Sequence, residues 1–241
     1  MEEVGDAGDM KAGELKAQAR LAGLLYLVVV ATGIFSLGYV PSQINVAEDW
    51  SATMANIVAN EALFRLGIAA FLLKQAAFLL LPLALYRVLG DANRVVAVAM
   101  VAFAVTSVPL ALAALGHKLD ALSLLTDPVL ANTVAPAQLQ AMAAQALDAY
   151  GNGLVATRLF WGLWLFPFGY LVLESARMPK LLAILLMLGC IGYLVDVFGA
   201  LLVPGYAESF IAKYAMLPAS IGEIGACLWL LLFGVRVPRE A

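Results

Sequence analysis

The chain has 241 residues, 63% of them apolar and 13% charged, with a mean hydropathy of +0.93 and a formal net charge of −3 at pH 7. Soluble domains run at about 45–50% apolar and about 25% charged, so these residues cannot cover a water-facing surface, and a lipid bilayer is the medium that fits. This excludes a secreted disulfide scaffold, a soluble Rossmann-type enzyme and, in the absence of any basic run, a partner among nucleic acids.

Residues 1–19 mix Glu2, Glu3, Asp6, Asp9 and Glu14 with glycines and two lysines, a composition that predicts a disordered cytoplasmic tail. Beyond them, a span needs about 20 apolar residues at a rise of about 1.5 Å each. Six runs meet that length: 21–40, 66–89, 95–116, 154–173, 181–203 and 214–235. The first is too long for the h-region of a cleavable signal, and Tyr39-Val40-Pro41-Ser42-Gln43 offers no small-x-small cleavage site, so it is read as a retained anchor. Within 48–64, Trp50, Met54, Ile57, Val58 and Ala62 recur at helical spacing while Asn56, Asn60 and Glu61 fall elsewhere, which predicts an amphipathic interfacial helix. A second such helix follows Pro136, with Leu139, Met142, Ala146, Leu147 and Tyr150 on one face until Gly151-Asn152-Gly153 ends it. The two either close an outer lid or float on the headgroups.

The apolar runs are continuous rather than alternating, which excludes a membrane barrel. The fold class is therefore an all-α polytopic membrane protein: one six-helix transmembrane domain over 20–236 with two outer amphipathic helices, followed by a short cytoplasmic tail at 237–241. Nine Lys and Arg residues (Lys11, Lys16, Arg20, Arg87, Arg94, Arg177, Lys180, Arg236, Arg239) fall on the side of the N-terminus, and four (Arg65, Lys118, Arg158, Lys213) on the other. The positive-inside bias then puts both termini in the cytoplasm. Cys190 and Cys227 lie in apolar runs and His117 is the single histidine, too few ligands for haem or zinc, so no cofactor or metal is expected.

A charge at the bilayer centre costs from about 2.5 kcal/mol upward, so ionisable groups inside the runs mark candidate sites. Lys74, Asp196 and Glu223 qualify. Counted from their helix ends, all three fall roughly 10–14 Å below the outer boundary. If the last two helices run antiparallel from a short connection, residue i on one stands level with about 419 − i on the other, which sets Asp196 opposite Glu223 and leaves Cys190 and Cys227 turned away from the interior. If Lys74 pairs with one acid, the other is either protonated or bonded to Arg158, and Tyr193 and Gln75 could complete a hydrogen-bonded network. Pro82, Pro109, Pro167 and Pro218 lie within the apolar runs and suggest kinks.

Four motifs in order, Arg20-Leu21-Ala22-Gly23-Leu24-Leu25-Tyr26 with Thr32-Gly33-Ile34-Phe35, Glu61-Ala62-Leu63-Phe64-Arg65-Leu66-Gly67, Gly192-Tyr193-Leu194-Val195-Asp196, and Pro218 through Gly222-Glu223 to Leu228-Trp229-Leu230-Leu231, resemble the bacterial integral-membrane family called domain of unknown function 4386. The resemblance covers about residues 17–235. It implies a multi-pass protein of a bacterial inner membrane and places Arg65, Asp196 and Glu223 at motif positions, whereas Lys74-Gln75 departs from the pattern. Three functional readings stay open: binding or passage of a small solute or proton through the polar cluster, an intramembrane acid–base enzyme acting on a lipid-like substrate, and a scaffold or accessory subunit without a site. The bilayer and a small solute or lipid-like ligand are the expected partners, and no oligomeric state follows from the residues.

Overall fold

The computed structural model describes residues 2–236, so the expected tail at 237–241 lies outside the described residues. Helices account for nearly all of it: α1 (Glu2–Gly33), a π segment (Ile34–Tyr39), α2 (Val40–Ile44), α3 (Trp50–Ala59), α4 (Glu61–Leu89), α5 (Arg94–Thr126), α6 (Pro128–Thr133), α7 (Pro136–Leu163), α8 (Leu165–Ser175), α9 (Lys180–Leu202), a 3-10 turn (Tyr206–Glu208), α10 (Phe210–Tyr214) and α11 (Leu217–Leu232), with no strand among the described residues. Six stretches are long and apolar enough to cross a membrane: Gly13–Ile44, Glu61–Leu89, Arg94–Thr126, Pro136–Ser175, Lys180–Leu202 and Phe210–Leu232. Each overlaps one of the six predicted runs. The N-terminal stretch expected to be irregular is helical, and by residue 19 it is packed, with Ala19 fully buried.

The chain divides into two compact units. The first holds the N-terminal residues through Val28, Ala77–Ser107, and everything from Arg158 on; the second holds Val29–Ala76 and Val108–Thr157.

In the first unit, α9 shows how these helices suit lipid. Leu181, Ile184, Leu188, Ile191, Val195, Phe198 and Leu202 form an exposed stripe at spacings of three and four, while Ala183, Gly189, Cys190 and Gly192 are on the buried face. Large apolar side chains outside and small ones inside are the arrangement for helices that pack closely and face hydrocarbon. Gly189 and Gly192 let α11 approach: a Cβ on Gly189 would stand 2.7 Å from the Ala219 Cα, and one on Gly192 would collide with the Ala215 carbonyl. Nearby, Trp164 stacks on Phe168 at 5.3 Å between ring centroids and meets Phe78 edge-on at 5.2 Å. The α7 to α8 break falls at Trp164 because Pro167 has no N–H for the Leu163 carbonyl, the last of α7.

In the second unit, the π segment closes with the Val40 N–H bonded to the Phe35 carbonyl, five residues back, just before Pro41, which cannot donate. Asp49 caps α3 by accepting from the Ala52 N–H at 2.8 Å. The inward face of α3 carries Thr53, Met54 and Ile57, and Met54 packs with Ala121 of α5 and Ala143 of α7. Asn56 donates to the Ile44 carbonyl at 3.1 Å. The two amphipathic segments thus share one packed cap and do not float. Contrary to the sequence reading, α7 runs straight through Gly151-Asn152-Gly153. The physical reason is contact: a Cβ on Gly153 would stand 2.7 Å from that of Ala114, so this glycine admits a neighbouring helix where a stop was expected.

Candidate functional site

In the first unit, Arg158 of α7 reaches Asp196 of α9, Nη1 to Oδ2, at 2.9 Å. The aspartate side chain is 16% exposed and the arginine 36%, so the pair is half dried and charge-assisted without being sealed. It lines an open crevice of about 630 Å³ together with Tyr206, Glu208, Ser209 and Lys213, two cationic and two anionic side chains in all. The crevice wall is built locally. Ser209 caps α10 by accepting from the Ala212 N–H at 3.1 Å, and Gly199 makes room for the Tyr206 ring.

Tyr193 stands three residues before Asp196 on α9, on the same side of the helix. Gly162 of α7 lies directly behind it, where any Cβ would strike that of Tyr193. Tyr193 lies within electrostatic reach of Glu223, Arg158 and Asp196. Glu223, half-buried on α11, also acts on the phenol of Tyr26, which is fully buried and whose hydroxyl has no hydrogen-bond partner. The groups therefore follow one another from the crevice inward: the Arg158–Asp196 pair, Tyr193, then Glu223 with Tyr26.

The register of α9 against α11 corrects the sequence reading. Gly189 meets Ala219, Gly192 meets Ala215 and Gly222 meets Leu185, so the numbers of level residues sum to 407–408 and not 419. The connection is not a plain turn; the chain leaves α9, makes a 3-10 turn, and comes back through α10 alongside α9 before α11 begins. Asp196 and Glu223 are consequently separated by about 18 Å along the helix pair, twelve residues at roughly 1.5 Å each, and Tyr193 stands between their levels. The thiols and carboxylates also exchange places: Cys190 and Cys227 are buried, Cys227 with its Sγ 3.8 Å from the Gly23 carbonyl, while Asp196 and Glu223 are half-buried. Where helix backbones touch, only small side chains fit.

In the second unit, Lys74 of α4 is 8% exposed, with its Cε 3.4 Å from where a Cβ on Gly33 would stand and its Nζ 5.6 Å from the Phe71 ring centroid. Its neighbour Gln75 is 1% exposed, and neither its oxygen nor its nitrogen has a hydrogen-bond partner; the same holds for the Ser36 hydroxyl inside the π segment. Arg65 is exposed and bonded to Glu61 one turn away at 2.6 Å.

A family model described as domain of unknown function, DUF4386, matches residues 21–234. The chain belongs to that family. No curated protein and no solved structure matches it. The DUF4386 match spans both units, and every predicted site residue falls inside it. Of those residues, this DUF4386 chain pairs Arg158 with Asp196 and sets Tyr193 one turn before Asp196 and Glu223 farther along the helix pair, all in the first unit, while Lys74, Gln75 and Arg65 belong to the second. Gly162 and Tyr206 were not singled out by the sequence, and Tyr26 stood there only as part of a family motif; a glycine on one helix and a tyrosine on another carry no mark of meeting. Also missed was Arg177, counted only for topology. It grips Asp91 with both guanidinium nitrogens, at 2.6 and 2.5 Å, and donates to the Val88 carbonyl, tying the connection after α4 to the one after α8.

Proposed function

We propose that this membrane protein binds a small charged solute, the proton being the smallest, in the Arg158–Asp196 crevice and passes it toward Glu223. The supporting observation is the position of Tyr193 within electrostatic reach of both the crevice pair and Glu223. A phenol whose residue stands at a level between Asp196 and Glu223, two positions about 18 Å apart along the helix axis, is a stepping point that neither could supply alone. The unbonded Tyr26 hydroxyl, within electrostatic reach of Glu223, supports the same reading, because a buried hydroxyl without a partner can bond to an arriving proton carrier. We read the protein as a bacterial inner-membrane protein with both termini cytoplasmic, from the Lys and Arg asymmetry, so the crevice after α9 faces outward. Four charged side chains of both signs on the crevice wall, Arg158, Asp196, Glu208 and Lys213, favour a charged solute over a lipid substrate.

The test is a proteoliposome assay with an entrapped pH dye and an imposed pH step. Wild-type protein is expected to collapse the gradient several-fold faster than protein-free vesicles, and Asp196→Asn and Glu223→Gln to return the rate to that of empty vesicles. A wild-type rate equal to the protein-free rate removes proton passage; unchanged rates in both variants remove this route.

A further inference from the structure

The second unit contains a cavity that the crevice reading does not use. It has a volume of about 370 Å³, at the small end of the roughly 300–1,000 Å³ of ligand pockets. Its walls come from α2, α3, α4, α5 and α7 and are largely apolar, with Ile44, Ile57, Phe64 and Leu147 among them. Into this setting α5 brings Lys118, which lies two residues beyond its 95–116 apolar run. A lysine at such a boundary ordinarily turns its ammonium to water. Lys118 does not: it is 6% exposed, with Nζ 4.8 Å from the Phe64 ring centroid and 5.1 Å from that of Tyr150, and all three line the cavity. Among the described residues, no carboxylate stands within ion-pair distance of it.

A buried cation with two ring faces and no anion leaves its ammonium incompletely compensated, since ring faces provide about 0.5–2 kcal/mol each and drying an ammonium costs several. The wall beside it is shaped for an apolar body. We propose that this cavity binds an amphipathic monoanion, its head on Lys118 and its apolar portion against Ile44, Ile57 and Leu147. Asp148, exposed on the same cavity, opposes a second negative charge and limits the head to one. A free carboxylate and the phosphate of an anionic lipid both present this chemistry. The site is independent of the proposed solute route.

Trp50 lines the cavity and serves as its reporter. The full chain is placed in phosphatidylcholine nanodiscs and titrated with decanoate, with decanol as the uncharged control; a second preparation contains phosphatidylglycerol and no decanoate. Decanoate is expected to shift the tryptophan emission saturably, the shift to vanish in Trp50→Phe, and Lys118→Met to weaken binding by about tenfold or more while Lys118→Arg keeps it. Decanol should give no saturable shift. A response in the phosphatidylglycerol discs alone assigns the site to a lipid headgroup, and a response to decanoate alone assigns it to a free acid. Gly151→Phe provides a second variant: a Cβ there meets nothing within 4 Å and the residue lines the cavity, so the ring fills it with Lys118 left in place and abolishes the response. Equal decanoate affinity in wild type, Lys118→Met and Gly151→Phe, or no response to either anion, overturns the proposal.

Discussion

The two units treat a positive charge withdrawn from bulk water, half-buried in one and buried in the other, in opposite ways. In the first, Arg158 meets Asp196 at 2.9 Å on the wall of an open crevice whose other charges are also of both signs. In the second, Lys118 lies against two aromatic rings on a mostly apolar cavity, with no carboxylate within ion-pair distance among the described residues. A pair formed within the chain is stable empty and gives way only to something that competes for one partner. A solitary cation is a standing cost that an incoming anion relieves. The first arrangement suits passage and exchange, the second retention of a ligand, and the contrast can be tested by substitutions whose effects differ in size and in sign.

The largest effect concerns the frame on which the crevice is built. Gly192→Leu drives a side chain into the Ala215 carbonyl, backbone that cannot step aside, and forces α9 and α11 apart. The expected loss is about 3 kcal/mol or more, seen as disappearance of the monodisperse species in detergent. The milder Gly189→Ala, whose Cβ would stand 2.7 Å from the Ala219 Cα, is expected to lower the melting temperature without abolishing the fold. If Gly192→Leu melts like wild type, the 407–408 register is wrong, and with it the position of Tyr193 between the carboxylates.

Next in size is the ion pair. Arg158→Met leaves Asp196, with 16% of its side chain exposed, to hold its charge alone. Breaking a fully buried pair costs about 3–5 kcal/mol and an exposed one under about 1, and since a third of the Arg158 side chain is accessible the expected loss is about 1–2 kcal/mol. Adding Asp196→Leu should recover most of it, because the unpaired charge is then gone as well. Lys118→Met should move the other way. It removes a dried ammonium and keeps an unbranched apolar stem, so the melting temperature of protein freed of anionic amphiphiles rises, by an amount equivalent to about 1 kcal/mol. A fall on Lys118→Met would make the rings a sufficient partner and erase the contrast between the units.

Much of the fold was legible because hydropathy reports length directly: all six spans overlap runs visible in the residues, and Pro41 and Pro167 fall beside the π segment and the helix break. What was not legible is how helices meet. Hydropathy has no information on where a chain re-enters after a connection, and α10 shifts the α9–α11 register by about twelve residues, which undoes the common depth assigned to Asp196 and Glu223. Gly153 signals a stop or a close contact equally well in sequence, and only Ala114 decides between them. Arg158 was legible as a partner for one of the two acids, but for which one was not, because residue counts give depth and not the direction in which a side chain points. Lys118 was missed because the apolar run ends at 116, while α5 continues to Thr126 with Ala121 and Leu122 buried, so the end of the span and the end of the helix are different places.

The smallest effect lies outside both sites and calibrates them. Arg177 holds the Asp91 carboxyl below its ordinary value of 3.8, chiefly by the hydrogen bonds it donates, against a smaller opposing contribution from burial. A carboxyl with a lowered folded-state pKa binds its proton more weakly folded than unfolded. Its stabilising contribution is therefore complete at pH values above the ordinary value and is lost as the pH falls below 3.8 through the lowered one. The Asp91 side chain is 65% exposed, so solvent screening holds this contribution below about 1 kcal/mol. Asp91→Asn is expected to lower the melting temperature slightly at pH 7 and to flatten its acid limb, and 0.5 M salt should shrink the difference from wild type. Arg158→Met, whose pair is drier, should respond less to the same salt, which separates the screened charge from the sheltered one by a measurement that needs no ligand.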